Sequence, residues 1–144
     1  MRVSFTGNQG GMTAAQKKAF RTLIRGADIF THGDCVGSDA QAHQIAVECG
    51  VETNIRPCTI THKRAYCEGN TIHDPKPPMD RNTDIVLDGD CLIATPKEFE
   101  EVQRSGTWAT VRRARRKGKL VYIIWPDGKI ERELVQIQDM KLDV

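Results

Sequence analysis

Short, solidly apolar runs alternate with helix-forming stretches along this chain, and glycine turns stand at most of the junctions between them. Arg2 to Thr6 (RVSFT) is a β-rich run closed by Gly7, and Thr13 with Gln16 supplies a capping-box start for a helix reaching about Arg25. Asp28 to His32 is a second strand, after which Ser38 is placed to cap a helix that stops at Gly50. Val51 to Arg56 is a third strand and Cys91 to Ala94 a fourth, with a short helix over Asp80 to Leu87 between them. A helix starting at Ser105 or Thr107 ends at Lys117, Gly118 stops it, and Leu120 to Trp125 is a further apolar strand. Strands that are apolar throughout, rather than alternating, and that are separated by helices predict a parallel sheet covered on both faces. The expected fold is α/β: a Rossmann-like three-layer sandwich with a mostly parallel sheet of about five strands.

One domain is expected over residues 1–144, a length that can bury a core without disulfides or metals. Residues 58–79 are proline-rich, mixed and aperiodic, and read as a long surface loop or lid. Residues 126–144 read as a C-terminal extension with a possible edge strand. The 21 basic and 19 acidic residues give a net charge of +2, so any preference for anions must be local. Five cysteines without a CxxC pair, and a start without a signal-peptide core, predict a cytoplasmic protein. No apolar run approaches the roughly 20 residues of a membrane-spanning helix, and no membrane partner is expected.

In an open parallel sheet, ligands bind beyond the carboxyl ends of the strands, where strand order reverses. The loops that would lie there are Thr6-Gly7-Asn8-Gln9-Gly10-Gly11 after the first strand, with Gly7, Asn8 and Gln9 as its candidate contacts, and Gly33-Asp34-Cys35-Val36-Gly37-Ser38-Asp39 after the second. Thr95-Pro96 follows the fourth and leads to Arg104-Ser105-Gly106-Thr107. Three of these loops place glycine or small hydroxyl residues near a helix start, where free N–H groups and the helix dipole favour an anion. Ser105, Thr107 and Thr110 add hydroxyls. Each loop alone is equally served by ordinary turn and capping chemistry; three on one edge shift the reading to a phosphate seat. Neither GxGxxG nor GxxxxGK[ST] occurs in full, which disfavours a standard dinucleotide or Walker-type site.

The stretches THGDCVGSDAQAHQIA, MDRNTDIVLDGDCLIATP and RSGTWATVRRARRKGKLVYIIWPDG resemble the SLOG superfamily of Rossmann-like nucleotide-binding proteins, in particular its small stand-alone bacterial and phage members. The likeness runs from Thr6 to about Gly128. It implies a pocket for a nucleotide or nucleotide-derived ligand, with Gly33, Asp34, Gly37, Ser38 and Asp39 as one wall, Arg81 and Asn82 as another, and Ser105, Gly106 and Thr107 as the phosphate cradle. It also implies a homodimer. The lonely-guy phosphoribohydrolases of that superfamily carry PGGxGTxxE; here Thr110 stands where the last glutamate would be. Threonine cannot serve as a carboxylate base, and such a group typically contributes 10²- to 10⁴-fold. The RSGT form is closer to the DNA-processing (DprA/Smf) branch, whose members bind single-stranded DNA. Binding therefore outranks catalysis, and no cofactor is expected.

Other residues carry paired readings. Arg112, Arg113, Arg115, Arg116 and Lys117 are either a nucleic-acid strip or, more simply, a solvated helix face that complements the dipole. Trp108 is placed either to stack on a base, or to pack in a dimer contact or against the neighbouring helix. His43 is expected to be structural and His32 to end its strand at the ligand edge. Cys58, His62, Cys67 and His73 lack the tight spacing of a structural zinc site, so no metal is expected. Lys63, Arg64 and Arg81 are candidates to neutralise a phosphate, and Arg81 has the stronger reason to turn inward. Three functions compete: non-catalytic nucleotide binding, an N-glycosidase in which Asp34, Asp39 or Asp84 replaces the missing glutamate, and single-stranded DNA binding.

Overall fold

The apolar runs form strands and the stretches between them form helices, in a computed structural model that describes residues 1–133. In chain order the elements are β1 (Arg2–Gly7), α1 (Ala14–Ile24), β2 (Ile29–His32), α2 (Ser38–Glu48), β3 (Glu52–Ile55), β4 (Thr71–Ile72), α3 (Pro78–Asp88), β5 (Cys91–Thr95), α4 (Gly106–Arg116), β6 (Leu120–Ile124) and β7 (Ile130–Glu133). The sheet order is β4-β3-β2-β1-β5-β6-β7. Every neighbouring pair is parallel except β6 with β7. The chain winds outward from β1 to β4, then crosses back through α3 to place β5 on the other side of β1. The order therefore reverses between β1 and β5, whose ends meet at the Gly7–Thr95 pair.

Each face of the sheet has its own core. Against α1 and α2, Phe5, Phe20 and Phe30 pack edge to face with ring centroids 5.3 to 5.8 Å apart, among Val3, Ile24, Ile45 and Ile93. Against α3 and α4, Val86, Leu92, Ala94, Trp108, Val111, Val121 and Ile123 form the second. The capping box at Thr13 and Gln16 is formed, and the buried Gln16 amide also donates to the Pro96 and Ile124 carbonyls at 2.8 and 2.9 Å. One capping residue thus ties α1 to the ends of β5 and β6.

Two expectations need correction, the strand number and the cap of α2. The sheet has seven strands, not about five, because two-residue β4 and antiparallel β7 add an edge on each side. Residues 58–79 are a long connection that contains a 3₁₀ turn (Thr61–Lys63) and β4. Backbone bonds pin them, from Ala65 to Asp34 (2.7 Å), Val36 to Lys63 (3.0 Å) and His73 to Ile55 (2.9 Å). Ser38 does not cap α2; Gly37 holds the cap position at φ +87°, and the buried Ser38 hydroxyl donates to the Asn8 carbonyl at 2.6 Å. A β-carbon at Gly37 would drive into the Gln9 carbonyl, so this turn needs glycine for space as well as for φ. The C-terminal extension supplies β7 up to Glu133, and its remainder lies outside the described residues. No helix among the described residues is long and apolar enough to cross a membrane.

Candidate functional site

A cleft of about 440 Å³ opens at the reversal point, within the range of small-ligand pockets. The turn after β1 supplies Gly7, Asn8 and Gln9; α3 supplies Arg81 and Asn82; the start of α4 supplies Arg104, Ser105, Gly106, Thr107 and Thr110; and Asp39 reaches in from α2. The cleft therefore gathers eleven of the residues expected at the site. Thr6, Gly10 and Cys35, members of the loops expected at this edge though not named as contacts, also line it, as do Phe5, Ile85, Lys97 and Glu98, which were not expected. Lys97 and Glu98 directly follow Thr95-Pro96, so extending that loop by two residues would have found them.

At the start of α4, Ser105 is the cap and its hydroxyl accepts from the Trp108 amide at 3.3 Å. Gly106 and Thr107 occupy the first helical positions, whose amides have no intrahelical acceptor. Both line the cleft. Thr110 contributes no free donor, since its hydroxyl is spent on the Gly106 carbonyl at 3.0 Å. Asn8 likewise serves its own turn, accepting from the Gly10 amide (2.8 Å) and donating to the Gly11 carbonyl (3.0 Å).

Arg81 turns inward and is 7% exposed. Its Nη1 donates to the Gly33 carbonyl (2.6 Å) and its Nε to Asn82 Oδ1 (2.8 Å). A β-carbon on Gly33 would stand 2.5 Å from Nη1, so that glycine makes room for the guanidinium. Arg81 forms no ion pair among the described residues, whereas the partly buried Arg56 and Arg64 are each matched to aspartate. Asp39 is 6% exposed, and its Oδ2 accepts from the Cys35 amide at 3.0 Å. Burial pushes its carboxyl up to about 6, against the opposing pull of the Cys35 amide and of Arg81. Burial, with Asp39 beside it, also pushes the Cys35 thiol up to about 12, so Cys35 is a protonated wall and not a nucleophile.

Nine expected residues fall outside the cleft lining. Gly33, Gly37 and Ser38 shape the turn behind it. Val36 is exposed, and Pro96 offers its carbonyl to Gln16. The buried Thr95 lies against Gly7 and Ser38. Asp34 is fully buried at φ +59°, where it accepts from the Cys67 amide (2.9 Å) and pairs with Arg64 (3.1 Å). Arg64 is therefore committed to Asp34 and to the face of Tyr66, and not to the cleft. Trp108 is 1% exposed, packed on Trp125, with its indole N–H on Glu98 at 3.2 Å. It cannot stack on a base.

His32 does not face the ligand edge either. The Asp34 amide donates to His32 Nδ1 (2.9 Å), His32 Nε2 meets His43 Nδ1 (2.8 Å), and His43 Nε2 meets the Glu68 carbonyl (2.9 Å). Only one tautomer set satisfies this chain: both rings neutral, each with its proton on Nε2. Burial, then His43 and Arg81, lower the His32 pKa to about 3, in keeping with a neutral ring. Nitrogen and sulfur atoms of His32, His43 and Cys67 come within 4.8 Å of one another. A metal on His32 Nε2 would nevertheless require a proton on Nδ1, where the Asp34 amide already donates. The arrangement fits a hydrogen-bond chain and not a metal centre. On α4, Arg112 and Arg115 are tied to Glu101, and Arg115 also to Glu133, which answers much of the basic run with local acids.

The fold defines a doubly wound α/β protein with a cleft of small-ligand size at its reversal point. No protein-family model matches the chain, and no curated protein matches it. Among solved structures it is similar to the molybdenum cofactor binding protein from the phototrophic bacterium Rippkaea orientalis, at 19% identity and a TM-score of 0.67, over 99% of this chain and 81% of that one. At that identity the likeness establishes a shared Rossmann-like fold.

Proposed function

We propose that this chain is an SLOG-type protein that binds a nucleotide or a nucleotide-derived phosphorylated molecule in the cleft at the β1–β5 reversal, as a sensor, carrier or sequestering protein. The observation that carries this reading is Arg81: a buried guanidinium on the cleft wall that makes no salt bridge within 4.0 Å among the described residues, with only the buried Asp39 carboxyl near it. Burying an unmatched cation is costly unless a counter-charge arrives. The open amides of Gly106 and Thr107 line the same cleft and favour the same kind of guest. The similar structure, a molybdenum cofactor binding protein, agrees with a small-ligand role. Thr110 in the glutamate position argues for binding without turnover.

The second reading, hydrolysis of an N-glycosidic bond, is narrowed to one residue. Asp34 is held by Arg64 and Asp84 by Lys76 at 2.7 Å, so of the three acids only Asp39 lines the cleft. Single-stranded DNA binding loses its stacking residue with the burial of Trp108. The homodimer expected from the resemblance is tested by sedimentation. For the main reading, the melting temperature of the purified chain should rise with mononucleotide concentration, since ligand at 100 times its dissociation constant adds about 2.7 kcal/mol. Chromatography of the same mixtures should show no free base. Melting that no mononucleotide and no pyrophosphate moves would overturn the proposal, and steady release of base would replace it with the hydrolase.

A further inference from the structure

The cleft contains a feature that a bare anion site would avoid. Asp39 places a carboxylate on its wall at 6% exposure; its Oδ2 accepts from the Cys35 amide at 3.0 Å, and the Gly33 amide and Cys35 thiol also favour its charged form. Oδ1 accepts no hydrogen bond among the described residues. Arg81 lies near enough to favour the charged form of Asp39, since the two converge on Gly33, where a β-carbon would lie 2.5 Å from Arg81 Nη1 and 3.2 Å from Asp39 Oδ2, but among the described residues they make no salt bridge within 4.0 Å. The cleft's other acid, Glu98, is only half-buried, and its Oε1 accepts from the Trp108 indole. Oδ1 is not sealed off, unlike the buried Thr95 hydroxyl, so it faces a guest directly: an open carboxylate oxygen repels phosphate oxygens and is matched by an N–H or O–H donor.

We infer that Asp39 is the specificity determinant of the cleft, accepting N–H or O–H donors from the organic part of a phosphate ester, so that the site takes nucleotides and discriminates against phosphate or pyrophosphate alone. This rests on the proposed binding function and assigns the two ends of the guest. The phosphate lies toward the α4 amides and Arg81, and the donor-bearing sugar or heterocycle lies toward Asp39. A site built to accept a ligand's N–H or O–H rejects the analogue that lacks it, because its own polar group is then left unmatched.

The test is calorimetric titration of the full chain and of Asp39→Asn with pyrophosphate, ribose 5-phosphate, AMP, GMP, CMP and UMP. The wild-type chain should bind at least one nucleotide ten-fold or more tightly than pyrophosphate. Asp39→Asn should lose ten-fold or more for that nucleotide while binding pyrophosphate equally or more tightly, because the repulsion is gone. Ribose 5-phosphate with the same dependence assigns the donors to sugar hydroxyls; without it, to heterocycle N–H groups. Equal losses for nucleotide and pyrophosphate, or no loss for the nucleotide, overturn the inference while leaving the anion cleft standing. Should Asp39→Asn fail to fold, the wild-type series decides alone: pyrophosphate binding as tightly as every nucleotide overturns it. If nothing in the series binds, the proposed function falls with it.

Discussion

The turn from Gly33 to Asp39 has two polar sides, and they are built on opposite terms. On one, Asp34, His32, His43, Cys67 and Arg64 form a closed account of donors and acceptors, in which each ring nitrogen and each carboxylate oxygen meets a partner within 3.1 Å. On the other, Arg81 makes no salt bridge among the described residues and Asp39 keeps an oxygen unmatched, both on the wall of a cleft. Both sides are buried, both are charged or titratable, and both looked functional in the sequence. Burial of polar groups therefore does not mark a site. Unused bonding capacity at an opening does, because a satisfied network stabilises the fold and an unsatisfied one has something left to offer a ligand.

The comparison is broken most forcefully at His32. Its removal in His32→Ala leaves the Asp34 amide and His43 Nδ1 without their partner and opens a cavity, and the expected loss is about 3 to 5 kcal/mol in urea denaturation. Below the lowered melting temperature, nucleotide affinity should stay within a few-fold of the parent. A variant that keeps its stability but loses its ligand would move the functional side to the histidines.

The two sides should also titrate in opposite directions. His32 has a folded pKa near 3 against an ordinary 6.5, so the unfolded chain binds the extra proton, and stability is lost as pH falls below 6.5 toward 3. Asp39 has a folded pKa near 6 against an ordinary 3.8. Here the folded chain holds the extra proton between pH 4 and 6, so stability falls as pH rises through that window. Asp39→Asn should accordingly be more stable than the parent at pH 8, by up to about 3 kcal/mol, with the advantage gone by pH 4. Denaturation curves at four pH values measure it. A variant less stable at pH 8 would mean that the carboxylate is satisfied and belongs with the closed side.

What the sequence made legible follows the same division. Helix starts at Thr13 and Ser105, the stop at Gly118 and the apolar strands rest on contacts within a few residues, and they appear where local chemistry places them. The glycine loops also reach one edge, because strand order alone puts them there. The fate of individual side chains was less accessible. Arg64 and Asp34 meet across thirty residues, and β4 is a two-residue strand with no periodicity to detect. Trp108 did carry a signal: with Val111 and Ala114 it repeats at helical spacing on the face that packs against the sheet. Its chemistry suggested a base-stacking residue, while its spacing placed it in the core.

The finest test concerns Thr95, expected at the ligand and found behind it. Its hydroxyl is buried against Gly7 and Ser38 with no hydrogen-bond partner among the described residues. It is therefore unsatisfied like Asp39 but closed off like His32, and the rule drawn from the comparison assigns it to neither role. Thr95→Val exchanges the hydroxyl for a methyl group of similar size. Removing a buried group that makes no bond should stabilise the chain by about 1 kcal/mol and raise the melting temperature by a few degrees. Nucleotide affinity should not change. A lower affinity at an unchanged or higher melting temperature would show that the hydroxyl reaches the ligand through the β1 turn, and that an opening visible in the free chain is too strict a criterion for which unmatched groups take part in binding.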